Sequence, residues 1–191
     1  MPPPKKAAKK AAKKAPKKSA GHHHDPHHQA NDLRRAYEHN GRLEVFGKAL
    51  NSSTVGTVGE LIKLAQEEIN GGHNKDAADL LRASEHLSFA NLASDRVARG
   101  RISTGLEQSI TDHFDDLMRR ADEHWEGHGQ SSAVLAALYQ SSRANASKAF
   151  KSGAYHRALE FARAAEALAH VRQGSVHELG VSHASLQLKD F

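Results

Sequence analysis

An all-α fold of about six helices, arranged as two similar three-helix units behind a disordered N-terminal tail, is predicted by three observations. Aromatic residues make up only 5% of the 191 residues, and alanine is abundant, a composition that disfavours strands and suits close-packed helices. Apolar residues recur at intervals of three and four in stretches separated by glycine, the period of amphipathic helices. Two stretches of the first half also reappear, in the same order, in the second.

The elements follow in order. Residues 1–30 combine proline, lysine, alanine and a histidine cluster. They hold too little apolar surface to offset chain entropy, which predicts disorder. A helical domain spans 31–174, with possible duplicate halves at about 31–100 and 104–174. Its first helix falls near 32–50. The second opens at Thr57, where Thr57 and Glu60 have capping-box spacing, carries Leu61, Ile62, Ala65 and Ile69, and stops at Gly71-Gly72. A third covers 74–98. The fourth opens on the capping box Thr104/Glu107, carries Leu106, Ile110, Phe114, Leu117, Ala121 and Trp125, and ends at Gly127 and Gly129. The last two cover 132–151 and 154–173. From Ser175 to Phe191 the pattern selects no element.

The duplication rests on two matches. LRRAYEH at Leu33–His39 returns as MRRADEH at Met118–His124, with an offset of 85. GHNKDAADLLRASEHLSFA from Gly72 aligns without gaps to GAYHRALEFARAAEALAHV from Gly153, with an offset of 81. Small residues Ala146, Ala158 and Ala165, with Gly153 at the turn, match Ala65, Ala77, Ser84 and Gly72 of the first copy. This pattern resembles a tetratricopeptide helix hairpin, although Ser142 and Asn145 replace the large residues usual in that family's first helix. The resemblance implies helix pairs stacked through small residues, and a tetratricopeptide-like adaptor as one functional possibility.

Charge is unevenly distributed. The chain has 27 Lys and Arg against 22 Asp and Glu, net +5. Eight of the lysines, Lys5, Lys6, Lys9, Lys10, Lys13, Lys14, Lys17 and Lys18, lie in the first twenty residues, which contain no acid. Subtracting them leaves about −3 on residues 21–191. A flexible array of ammonium groups tracks a phosphate backbone and releases its counterions, without reading bases. No aromatic stands among the lysines to stack on bases. The paired lysines spaced by alanine and proline resemble the tails of linker histones and bacterial histone-like proteins, which implies a DNA partner and, in a bacterium, a nucleoid location within the cytoplasm. The competing reading is a charge run that only solubilises the chain.

Histidine is the other compositional signal, with fifteen in all. His22, His23, His24, His27 and His28 form HHHDPHH, whose imidazoles suit Zn²⁺, Ni²⁺ or Cu²⁺ but without a preset geometry that would select one. His124 and His128 share a helix face but lack a third ligand, so no cofactor is assigned. Arg34 with His39, and Arg119 with His124, each leave four residues between Arg and His. This spacing resembles the motif of the HEPN ribonucleases, all-helical proteins that cleave RNA at a paired Arg-His site. The resemblance implies guanidinium stabilisation of a phosphodiester transition state and proton transfer by imidazole. Read as a helix surface instead, RRA-x-EH makes the i,i+4 pairs Arg34–Glu38 and Arg119–Glu123.

Several classes are excluded. There is no cysteine for a disulfide, thiolate metal site or thiol nucleophile. TVGTVGE at 54–60 lacks the lysine and hydroxyl of a phosphate loop. No apolar run reaches the length of a membrane span, and the lysine run is not followed by the apolar core of a signal peptide. The remaining carboxylates read as solvated helix faces. The expectation is therefore a non-enzymatic, nonspecific DNA-binding protein. Its tail holds the nucleic acid and its helical body is a surface for a protein partner or for self-association.

Overall fold

The computed structural model describes residues 26–50, 52–93, 102–128 and 132–171. Among them the chain is all-helical, with six helices and no strand: α1 (Pro26–Phe46), α2 (Ser52–Asn70), α3 (Asn74–Leu92), α4 (Thr104–His128), α5 (Ala133–Ser152) and α6 (Tyr155–His170). Residues 1–25 of the tail expected at 1–30, and the ambiguous segment at 175–191, lie outside the described residues.

Two starts differ from the sequence expectation. Helix α1 begins at Pro26, so residues 26–30 are helical and do not belong to the tail. Proline is favoured in a first helical turn, where its missing N–H costs nothing. Helix α2 begins at Ser52, which places Thr57 inside the helix and not at its cap. Thr54, Thr57, Val58, Leu61, Leu64, Ala65 and Glu68 are all buried along one face. Two of these positions carry hydroxyls, so a hydrophobic pattern alone misses the first turn. Thr104 likewise is the first helical residue of α4, and Ser103 caps it, its hydroxyl accepting from Leu106 N–H at 3.4 Å.

Helices α3 and α6 form the centre. Each packs against the two helices before it, α1 and α2 on α3, α4 and α5 on α6, and the two central helices pack on each other. A helix covered on several sides must be apolar nearly all round, and alanine is what lets the backbones approach. Ala77, Ala83 and Ala90 of α3 and Ala158, Ala162, Ala164 and Ala165 of α6 are fully buried. The buried Ser84 and Ser88 hydroxyls donate to the carbonyls of Leu80 and Ser84, at 2.9 and 2.8 Å, so they leave no orphan group.

The α2–α3 and α5–α6 turns are built alike. His73 N–H donates to Glu68 O at 2.8 Å and Gly72 N–H to Ile69 O at 3.0 Å. Ala154 N–H donates to Ala149 O at 3.0 Å and Gly153 N–H to Phe150 O at 2.9 Å. Gly72 and Gly153 hold φ of +80° and +81°, the left-handed residue of a Schellman cap. The same bonds recur 81 positions apart.

Helical glycines behave in the opposite way. A methyl added at Gly56 or Gly59 within α2 meets nothing within 4 Å. Gly56→Ala and Gly59→Ala are each expected to raise stability by about 1 kcal/mol, and Gly72→Ala to lower it by a similar amount. Urea midpoints of the three variants check this, and a gain at Gly72 would contradict it.

Candidate functional site

The clearest concentration of chemistry lies where the central helices meet their neighbours. Glu68, Asp76, Asp79, Glu85 and Glu160 are all less than 6% exposed, so the expectation that the carboxylates are solvated is wrong for this group. Glu85 of α3 accepts from the ring nitrogen Nδ1 of His39 and, at 2.9 Å, from Arg42 of α1. Burial raises its pKa, but the bonds from His39 and Arg42 outweigh this and hold the carboxyl below the usual range. Glu160 of α6 is 2.8 Å from His86 Nδ1 of α3 and accepts from Arg163 at 2.7 Å. It too is raised by burial and brought below the usual range by His86, Arg163 and His156. In the second half of the chain Glu166 of α6 lies 3.2 Å from Arg120 of α4. This pairs α4 with α6 at the position where Glu85 pairs α3 with α1.

A second ionic clamp joins α4 to α5. Arg143 grips Asp122 with two bonds of 2.7 Å, and Tyr139 O–H donates to the same carboxylate at 2.5 Å. Arg143 holds Asp122 below the ordinary carboxylate range, against partial burial. Trp125 stacks on Tyr139 at 4.2 Å, which gives the tyrosine ring an apolar seat while its hydroxyl stays bonded.

The two Arg-His pairs do not assemble into a common constellation. Arg34 is exposed and lies 3.8 Å from Glu38, while His39 turns inward to Glu85. Arg119 is exposed between Asp116 at 2.6 Å and Glu123 at 2.7 Å, while His124 sits edge-on to His170 of α6 at 4.1 Å. Five residues along a helix turn the chain through about 140° relative to a shared face, so each arginine and its histidine point to different surroundings. The surface pairs Arg34–Glu38 and Arg119–Glu123 are formed.

Of the other sequence candidates, the eight lysines and His22, His23 and His24 precede the described residues. His27 and His28 fall in the first turn of α1. Among the described residues no group of three His, Asp or Glu could hold a metal ion, and no helix is long and apolar enough to cross a membrane.

Sequence reasoning missed the buried carboxylates because it scored each helix by its apolar period. A signal existed: Glu85 stands among Leu80, Leu81, Ala83 and Leu87, and Glu160 among Ala158, Phe161, Ala162 and Ala164, so each acid falls within a run of apolar residues. The geometry defines an all-helical body, among the described residues, in which Glu85, Glu160 and Glu166 are held by histidine or arginine from adjacent helices. No protein-family model, curated protein or solved structure significantly matches the chain.

Proposed function

We propose that this is a nonspecific, non-enzymatic DNA-binding protein, in which the lysine-rich N-terminal segment engages the phosphate backbone and the helical body serves for protein interaction or self-association. The observation that carries this reading is the partition of charge. Eight lysines and no acid occupy the first twenty residues, and the remaining 171 carry about −3. The body's ionic groups support it by their arrangement, since the arginines of α1, α4, α5 and α6 described above are matched with carboxylates of their own or adjacent helices. We further propose that the body arose from duplication of a three-helix unit. The repeated sequence offsets, the paired Schellman turns and the repeated packing of first and second helices on the third all support this. In a bacterial cell such a protein belongs to the cytoplasm, on the nucleoid.

A mobility-shift titration over a range of salt tests the DNA reading. The full chain should bind duplexes of unrelated sequence equally, with log K falling against log salt at a slope of up to about −7 if all eight lysines engage phosphates. Replacing the eight lysines by glutamine should lower affinity by at least about a thousandfold at low salt. Unchanged affinity and slope in that variant would sink the proposal.

A further inference from the structure

A cleft of about 290 Å³ opens between the second half of α5 and the first half of α6. Asn145, Lys148, Ser152 and Arg157 line it together with the buried Phe161, and no carboxylate is among the described residues that line it. Arg157 Nε donates to the Ala90 carbonyl at the end of α3, at 3.0 Å, which fixes the guanidinium at the edge of the cleft. Lys148 makes no ion pair among the described residues.

The first unit shows what created this space. With the offset of 81 that superposes the two turns, Ala149 and Ala154 correspond to Glu68 and His73. Those two side chains bond to each other at 2.8 Å across the α2–α3 turn. In the second unit both are alanine, both alanines line the cleft, and the volume is left open. The flanking charges also reverse: Glu67 and Asp76 become Lys148 and Arg157, while Leu64 becomes Asn145. A filled, acidic turn in one unit is therefore an open, cationic one in the other. Ala154 is also the N-cap of α6 and provides no side-chain cap, so the positive end of the helix dipole adds to the two cations.

We propose that this cleft is a phosphate-binding site. Lys148 and Arg157 neutralise the anion, the Asn145 amide adds a donor, and Phe161 packs against the group that carries the phosphate. Guanidinium, ammonium and a helix N-terminus together favour phosphate over weaker anions. The volume is near the lower end of small-molecule sites, about 300 Å³, and exceeds what a bare phosphate needs. The phosphate can come from a small phosphorylated molecule or from a nucleic-acid backbone, and the two sources give different results in one experiment.

The test follows backbone amide resonances of the full chain while inorganic phosphate or a short DNA duplex is added at constant ionic strength. Saturable shifts at Ser152–Arg157, weakened about tenfold or more by Lys148→Glu, uphold the site. Inorganic phosphate as the effective ligand assigns a small phosphorylated molecule, and the duplex alone assigns the backbone. No saturable shift from either, or shifts that Lys148→Glu leaves unchanged, overturns it. The eight-lysine variant should keep these shifts, so failure of the tail and failure of the cleft are separately visible.

Discussion

Replacing Glu160 by alanine is expected to cost about 3 kcal/mol at pH 7, a large share of the 5–15 kcal/mol by which domains are stable. Glu160 is 4% exposed where α6 crosses α3. It takes His86 from α3 at 2.8 Å and Arg163 from its own helix at 2.7 Å. Removing the carboxylate leaves a small cavity and deprives a largely buried imidazole of its partner. The cost of breaking a buried pair far exceeds the worth of an exposed one. Glu38→Ala, which removes the exposed partner of Arg34, is the control and should change stability by under about 0.5 kcal/mol. The effect also has a pH signature. Because the folded carboxyl titrates below its unfolded value, its stabilisation is present above the ordinary glutamate range and is lost as pH falls through the lowered native value. Urea unfolding should show the two proteins separated at pH 7 and drawing together as pH falls below the ordinary glutamate range. A loss as small as that of Glu38→Ala would place Glu160 among the surface pairs.

The helices were legible because their boundaries carry chemistry. Gly72 and Gly153 end α2 and α5 as left-handed caps, and the Leu106–Trp125 stripe marks α4. The beginnings were less so. The first two turns of α2 bury Thr54 and Thr57, and Asn91 of α3 donates to the Thr54 hydroxyl. A polar residue that is satisfied in the interior reads on paper like one in solvent. For the same reason, sequence pattern does not foresee which elements share the core. Packing of α3 on α6 is a tertiary choice made by alanines whose abundance signals close approach but not the partner.

The charge chemistry divided in a similar way. The i,i+4 pairs of Arg34 and Arg119 depend only on helical geometry, and both formed. The bonds of His39 to Glu85 and of His86 to Glu160 join residues 46 and 74 positions apart, and no local spacing encodes them. The internal alignment would have indicated one consequence, because it pairs Glu160 with Asp79, His86 with Ala167, and the Glu68–His73 pair with two alanines.

Asp79→Asn is expected to stabilise the protein by about 2 kcal/mol at pH 8, with the gain vanishing near pH 4. Asp79 occupies in α3 the position that Glu160 occupies in α6, and each has an arginine three residues on: Arg82 at 3.4 Å and Arg163 at 2.7 Å. Glu160 also has His86, but the counterpart of His86 is Ala167, whose side chain has no polar atom. Asp79 Oδ2 has no hydrogen-bond partner among the described residues. Burial, reinforced by Asp76 and Asp32 and opposed by Lys75 and Arg35, pushes the carboxyl up to about 7. The unfolded chain releases the same proton near pH 3.9. Between those values the folded state binds more protons than the unfolded one, so stability falls as pH rises from about 4 to about 7 and stays lower above it. A displacement of about three units corresponds to at most about 4 kcal/mol. Asparagine recovers part of this, because its amide donors also need acceptors in the same dry site. Stability of both proteins measured from pH 4 to pH 8 separates the explanations. A gain that grows with pH identifies the orphaned charge, whereas a constant difference would mean that shape and packing, not ionisation, set the cost of this residue.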